Sequence, residues 1–195
     1  MGSKSTRDAV RHAYSKVARK PEDSHPFPVG RRFAKSVGYP AALLKTIPRQ
    51  STESFSGVSN VSVFAEIDEA MTVLDLGCGA GLDAMVARER VGPRGRIVGV
   101  DFSADMVFKA GQAVVEVGAD NLDLVIAGGE SLPLGNETVD LALVNGIFNL
   151  NPHRTRLFHE LARVVKPGGT VWSAEIILVA VLPDAHRQSE AAWFA

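Results

Sequence analysis

The most informative segment of this 195-residue chain reads Thr72-Val73-Leu74-Asp75-Leu76-Gly77-Cys78-Gly79-Ala80-Gly81. Its apolar run contains an acid and gives way to alternating glycines, which predicts a buried strand, a tight turn and a helix that begins at Leu82. Glycine adopts positive φ at little cost and lets a ligand approach the backbone closely. The free N–H groups and the positive dipole end of the helix would face that ligand. The segment therefore predicts a cofactor lying across the turn.

The spacing of the glycines separates two classes of cofactor. A dinucleotide site requires G-x-G-x-x-G, and the third glycine of that pattern falls on Leu82. The pattern present instead is D-x-G-x-G-x-G over residues 75–81. A carboxylate such as Asp75 suits a cationic ligand better than a phosphate. A glycine-rich turn without a cofactor, as in any α/β domain, is the alternative.

The composition indicates an ordinary globular protein. Its apolar fraction of 46% can fill a core, and its length corresponds to one domain of usual size. No apolar run reaches the roughly 18 residues that span a membrane, and the first five residues lack the apolar stretch of a secretory signal. The single cysteine, Cys78, fits a reducing compartment. We therefore expect a cytoplasmic protein without a membrane partner.

The charge is divided unevenly between the two parts of the chain. Residues 1–60 carry 11 Lys/Arg against 4 Asp/Glu, and the remainder carries 10 against 18. A basic arm can bind nucleic acid, or it can pack against the acidic remainder. Residues 6–20 predict an amphipathic helix whose apolar face must be buried. We expect residues 1–60 to form a helical arm, a lid over a cofactor-binding domain of residues 61–195, with no nucleic-acid partner.

From residue 61 onward, apolar strands alternate with helices. The strands are predicted at 72–76, 97–101, 122–127, 139–145 and 170–178, and the helices at 82–91, 103–117, 152–165 and from Asp184 onward. Before them, residues 41–47 predict a short helix and residues 51–60 a loop. Continuous apolar strands separated by helices are typical of a doubly wound α/β fold with a mostly parallel sheet.

Ligands of such folds lie beyond the carboxyl ends of the strands. Those ends carry the glycine turn, Asp101, residues 127–130 and Asn145. Asp101 is placed to accept the hydroxyls of a ribose, or else it is an acid favoured at the start of a helix. Phe102 and Met106 follow, and each suits an adenine face or, for Met106, the protein core.

Three further segments carry a family resemblance, together with the glycine turn. They are residues 97–106 (I-V-G-V-D-F-S-A-D-M), 128–133 (G-G-E-S-L-P) and 161–169 (L-A-R-V-V-K-P-G-G). Over residues 55–180 the chain resembles the class I S-adenosylmethionine (SAM)-dependent methyltransferases. The resemblance implies SAM as cofactor, with binding residues Asp75, Gly77, Cys78, Gly79, Asp101, Phe102, Met106, Gly129, Glu130 and Asn145. It also implies an acid against the adenine amino group where this chain has Gly128.

Within that family, the chain is most similar to the arsenite methyltransferase-like group, also called methyltransferase type 11. The likeness lies in residues 75–83, 91–96 and 145–152. The cysteines that bind arsenic(III) in that group are replaced here by Gly146 and by residues 56–60. One thiol cannot supply a three-thiolate site. The resemblance thus implies methyl transfer from SAM to another small molecule.

The sequence names no catalytic residue and predicts no metal site. Two other functions stay open, an NAD(P)-dependent oxidoreductase and a SAM-binding module without catalysis. The resemblance also implies a final hairpin of two strands, for which the last residues before Ala195 show no pattern. We therefore expect an exposed sheet edge, through which the protein forms a homo-oligomer or which marks a truncated chain.

Overall fold

The computed structural model describes residues 3–177. The helices are α1 (Ser3–Arg19), α2 (Arg31–Ser36), α3 (Leu43–Thr46), α4 (Arg49–Glu53), α5 (Val61–Phe64), α6 (Leu82–Val91), α7 (Ala104–Val117) and α8 (Arg154–Val164). The strands are β1 (Thr72–Leu76), β2 (Arg96–Asp101), β3 (Leu122–Ile126), β4 (Val139–Asn145) and β5 (Val165–Ala174). The predicted helix from Asp184 onward and the absence of a final hairpin lie outside the described residues.

The five strands form one parallel sheet in the order β3-β2-β1-β4-β5. After β1, the chain adds β2 and β3 on one side of β1 and then crosses to add β4 and β5 on the other side. The direction of winding therefore reverses beside β1. Leu76, at the end of β1, pairs with Val100 of β2 and Val144 of β4. The predicted doubly wound α/β fold is confirmed, and a crevice is expected at this reversal.

Apolar side chains cover both faces of the sheet. Along β1, Val73 joins a cluster with α5 and α6, whereas Leu74 and Leu76 join a cluster with α8 on the opposite face. This alternation follows from the two-residue period of a strand. Because both faces are buried at the three central strands, β1, β2 and β4, these strands contain almost continuous apolar runs, and most of their polar residues lie near the strand ends.

The arm before β1 packs against the rest of the protein at two places. Residues of α2, α3 and the following segment, such as Tyr39, Leu44 and Phe55, belong to the same apolar cluster as α6. Helix α1 instead lies on α7, where Val17 and Ala18 pack against Met106. The apolar face predicted for this helix is therefore buried.

Two local predictions were wrong. Residues 51–53 form the end of α4 rather than a loop, because the Ser51 and Thr52 N–H groups donate to the carbonyl of Pro48. Strand β5 begins at Val165, five residues before the predicted start, and pairs with Val139 across an irregularity in the register. Beside that irregularity, Lys166 Nζ lies 2.6 Å from Asp140 Oδ1, which fastens the start of β5 to β4.

Candidate cofactor site

A cavity of about 100 Å³ lies at the carboxyl ends of β1, β2 and β4, under the arm. Nine of the ten residues predicted to bind the cofactor line it: Asp75, Gly77, Cys78, Gly79, Asp101, Phe102, Gly129, Glu130 and Asn145. Met106 does not line the cavity. Its side chain is buried between α7 and α1, in contact with the cluster that contains Val17.

The glycine turn after β1 requires its glycines for two reasons. Gly77, Gly79 and Gly81 all have positive φ, at 75°, 51° and 85°. A Cβ on Gly77 would also overlap the side chain of Ile147. The turn is held to β2 because the Gly77 and Cys78 N–H groups donate to the Val100 carbonyl, at 2.7 and 3.1 Å. The backbone at this turn is thus fixed and open to the cavity.

Asp101 ties the end of β2 to the glycine turn. Its Oδ2 accepts the Gly79 N–H at 2.9 Å, and its Oδ1 accepts the Ser103 N–H at 2.8 Å. Burial raises the pKa of the Asp101 carboxyl to about 6, against the opposing effect of these backbone donors. Each carboxylate oxygen can accept a second hydrogen bond, so a ligand in the cavity can still be bound.

Asp75 presents an unpaired carboxylate oxygen at the cavity. The residue is only 2% exposed, and its Oδ2 has no hydrogen-bond partner among the described residues. Burial raises the pKa of this carboxyl well above its usual value, with a further contribution from Asp83, and a hydrogen bond from the Ala84 backbone opposes the rise. A buried polar atom without a partner is costly, and a cationic ligand group would satisfy it.

Asn145 faces the cavity, but its amide is already engaged with the arm. Its Oδ1 accepts the Val58 and Ser59 N–H groups at 2.8 and 3.1 Å, and its Nδ2 donates to the Ser59 carbonyl and to Asp83 Oδ2. A Cβ on Gly57 would come within 2.6 Å of the same amide. Asn145 thus positions the segment around residue 58 against the end of β4.

Asp83, in the first turn of α6, collects donors from three parts of the chain. It accepts hydrogen bonds from the Tyr39 hydroxyl at 2.5 Å, from both the N–H and the hydroxyl of Ser62, and from Asn145. Sequence reasoning assigned no partners to Asp83, because Tyr39 and Asn145 lie 44 and 62 positions away along the chain and Ser62 lies 21 positions away.

The β2–β3 side of the cavity is closed by α1. Arg7 Nη2 lies 3.6 Å from Glu130 Oε2, and the guanidinium carbon lies 5.9 Å from the centre of the Phe102 ring. The Arg11 guanidinium lies 5.6 Å from the same ring. A Cβ on Gly128 would overlap both Arg7 and Glu130. Where an acid was expected by resemblance, glycine therefore makes room for an arginine of the arm.

Sequence reasoning did not assign the arm residues of the cavity wall. These are Arg7, Val10, Tyr14, Ser51, Ser54, Phe55, Ser56 and Gly57, and residues after β4 also contribute, namely Ile147, Leu150, Asn151 and Pro152. Burial raises the pKa of the Tyr14 phenol, with Asp101 as the next cause. The positive charge of the arm and the apolar face of its first helix indicated that it would lie on the acidic remainder of the chain, but not which residues would reach the cavity.

Residues 3–177 contain neither a grouped set of metal ligands nor a long apolar helix. No three or more His, Cys, Asp or Glu side chains are grouped so as to hold a metal ion. None of the helices in this part of the chain combines the length and the apolar character needed to cross a bilayer.

Comparisons with known proteins agree with this geometry. A methyltransferase domain family matches residues 67–194. An arsenite methyltransferase of Halobacterium salinarum is 37% identical over 128 residues, which are 66% of this chain and 33% of that protein. A trans-aconitate 2-methyltransferase of Azoarcus sp. is 39% identical over 105 residues, 54% of this chain and 39% of that protein.

A solved structure extends the match. The arsenic(III) S-adenosylmethionine methyltransferase of Chlamydomonas reinhardtii is 28% identical, with a TM-score of 0.70, over 79% of this chain and 56% of that one. The chain spans about a third of the length of the first curated relative and two fifths of the second. The predicted likeness to the arsenite methyltransferase-like group is confirmed. The chain belongs to the methyltransferase domain family, and its cofactor is SAM.

Proposed function

We propose that this protein transfers the methyl group of SAM to a small molecule other than arsenite. The observation that carries the proposal is the position of two buried carboxylates, Asp75 and Asp101, on either side of one glycine turn in one cavity. Asp101 would accept the ribose hydroxyls, and the unpaired oxygen of Asp75 would accept the ammonium of the amino-acid end. A dinucleotide would bring a phosphate to the same turn, where the Asp75 carboxylate would repel it.

The remaining rim residues support the same orientation. The backbone of Gly77, Cys78 and Gly79 would contact the middle of the cofactor, and Phe102 with the backbone of residues 129–130 would contact the adenine. Met106 would support this wall from behind, since it is buried beside α1. Asn145 would act through the arm segment that it holds.

The acceptor would enter from the side formed by the arm and by the residues after β4. This wall contains Tyr14, Ile147 and Leu150, so it offers apolar surface and one phenol. Cys78 is the only cysteine of the chain, and burial raises its thiol pKa well above the usual value. Arsenic(III) requires several thiolates, which this site does not supply.

The protein contributes mainly by positioning. SAM, when bound, supplies a methyl carbon whose bond to sulfur breaks as a lone pair of the acceptor forms the new bond. Asp75 and Asp101 would hold the two ends of the cofactor, and the fixed turn between them would orient the sulfonium. The arm would exclude water from the cavity. Such fixed geometry accounts for much of the acceleration available to an in-line displacement.

The test measures binding first and transfer second. Isothermal titration is expected to show binding of SAM and S-adenosylhomocysteine and none of NAD. Incubation with methyl-labelled SAM and a panel of small acceptors is then expected to label at least one of them, and not arsenite. Tighter binding of NAD than of SAM would favour the oxidoreductase, and binding without any transfer would favour a SAM-binding module.

We also propose that α1 is the moving part of the lid. The cavity of about 100 Å³ is smaller than the roughly 300–1,000 Å³ usual for ligand pockets, so a wall must move to admit SAM. Helix α1 is held to α7 by a small apolar cluster separate from the main core, by the Arg19–Asp105 ion pair at 2.9 Å and by a bond from Lys109 Nζ to the Ala18 carbonyl at 2.8 Å. From α2 onward the arm shares the main core, and this part would stay in place.

A disulfide that locks α1 should slow the binding of SAM. Ser15 Oγ and Ser103 Oγ lie 3.2 Å apart, close enough for a disulfide in the Ser15→Cys/Ser103→Cys variant. By stopped-flow measurement, we expect the oxidised form to associate with S-adenosylhomocysteine at least about 10-fold more slowly than the reduced form. The Ser103→Cys variant alone is the control. Equal rates in both redox forms would show that α1 does not gate the site.

Two narrower expectations remain proposals. A cytoplasmic location is supported by the single cysteine. Self-association through β5 is supported by the exposure of Val171, on the outer strand of the described sheet. Sedimentation at increasing protein concentration tests the second, and a monomer at all concentrations would contradict it.

A further inference from the structure

Unpaired polar atoms are concentrated in the cofactor cavity. Among the described residues, four buried side-chain nitrogen or oxygen atoms lack a hydrogen-bond partner. Three of the four belong to residues that line this one cavity: Asp75 Oδ2, Ser51 Oγ and Ser54 Oγ. Since a buried donor or acceptor without a partner is costly, such a concentration indicates a polar ligand group at this point.

Ser51 lies in the middle of the short helix α4, and Ser54 directly follows its last residue. Ser51 is fully buried and Ser54 is 2% exposed. Ser51 Oγ lies 4.0 Å from the position that a Cβ on Gly81 would occupy, so it stands beside the glycine turn at the start of α6. The Ser51 N–H donates to the Pro48 carbonyl, so the hydroxyl is the polar group of Ser51 that lacks a partner. Phe55, next to Ser54, anchors the segment in the core.

The chemistry of the three groups is complementary to a zwitterion. Two hydroxyls can donate to a carboxylate, and the start of the ten-residue helix α6 adds the positive end of its dipole. The carboxylate of Asp75 can accept from an ammonium. An α-amino acid carries these two charges on one carbon.

We propose that Ser51 and Ser54 of the arm bind the carboxylate of the methionyl group of SAM, opposite the ammonium site at Asp75. The inference rests on SAM as cofactor and goes beyond it, because it makes α4 a part of the cofactor site. The arm then supplies recognition as well as cover.

The test compares a ligand that has the amino-acid end with one that lacks it. S-adenosylhomocysteine and 5′-methylthioadenosine share the adenine, the ribose and the thioether. By isothermal titration, Ser51→Ala and Ser54→Ala should each weaken S-adenosylhomocysteine binding about 10-fold, and the double variant about 30-fold, because hydrogen bonds to a charged group are lost. Binding of 5′-methylthioadenosine should change less than about 2-fold. Ser59→Ala is the matched control, since its hydroxyl contacts Asn60 outside the cavity.

The thermal stability of the ligand-free variants is the second readout. Loss of an unpaired hydroxyl should leave the melting temperature unchanged or raise it, whereas loss of a structural hydroxyl would lower it. Unchanged binding of S-adenosylhomocysteine in the double variant would overturn the inference, and so would an equal loss for both ligands. A wild-type protein that binds neither ligand would reject SAM itself, and this inference with it.

Discussion

Replacing Asp83 with alanine is expected to lower the free energy of unfolding by about 3 kcal/mol. The substitution removes the common acceptor of the Tyr39 hydroxyl, Ser62 and the Asn145 amide, all in the buried seam between the arm, α6 and β4. Each donor left without a partner costs about 1–3 kcal/mol. Removing the carboxylate also removes the free-energy cost of burying it, which offsets part of that sum. Because several donors lose their acceptor, the net effect is still destabilising.

Urea unfolding followed by circular dichroism measures this change. Asp68→Ala is the control, because Asp68 is exposed and its substitution should alter stability by less than about 0.5 kcal/mol. If Asp83→Ala unfolded at the same urea concentration as the wild type, the seam would not depend on Asp83, and the arm would be held by its apolar contacts alone.

Replacing Asp101 with alanine is expected to weaken the binding of 5′-methylthioadenosine by about 2–3 kcal/mol, or roughly 30- to 150-fold. The variant loses the acceptor of the ribose hydroxyls and also the group that joins the Gly79 and Ser103 N–H groups. A folded variant with unchanged affinity would mean that Asp101 only shapes the turn.

The pH dependence of the same titration gives an independent check. The pKa of the Asp101 carboxyl is raised to about 6 from an ordinary 3.8, so the wild type should lose affinity as the pH falls through about 6. This ligand lacks the amino-acid end, which separates the effect from protonation of Asp75. Asp101→Ala should lose that pH dependence. The stability of the ligand-free protein should depend on pH in the opposite direction. A raised pKa of a carboxyl stabilises the fold at low pH, and this contribution is lost as the pH rises from about 4 to 6.

The fold and the rim of the site could be predicted because their signals are local. The apolar run and the glycines of residues 72–81 specify a strand and a turn by short-range sterics. Parallel pairing then brings the ends of β1, β2 and β4 together, and nine predicted residues meet in one cavity. No knowledge of distant contacts was needed for this.

The far wall could not be predicted, because long-range packing decides it. Nothing near Ser51 or Ser54 in the sequence indicates that both would line one cavity with the glycine turn, which comes much later in the chain. The position of Met106 depends in the same way on where Val17 packs. Asn145 was predicted from its place at a strand end, yet its partners in residues 58–59 belong to a segment without a periodic pattern.

The cavity wall contributed by residues 51–57 limits how much of the function of one relative can be inferred for another. The family match begins at residue 67, whereas Arg7, Tyr14 and these wall residues precede it. A protein that shares only the matched domain inherits the glycine turn and Asp101, and it can combine them with a different upstream segment. Similarity over the domain therefore transfers the turn and Asp101 from one member to another, whereas the roles proposed for the upstream wall do not transfer with it.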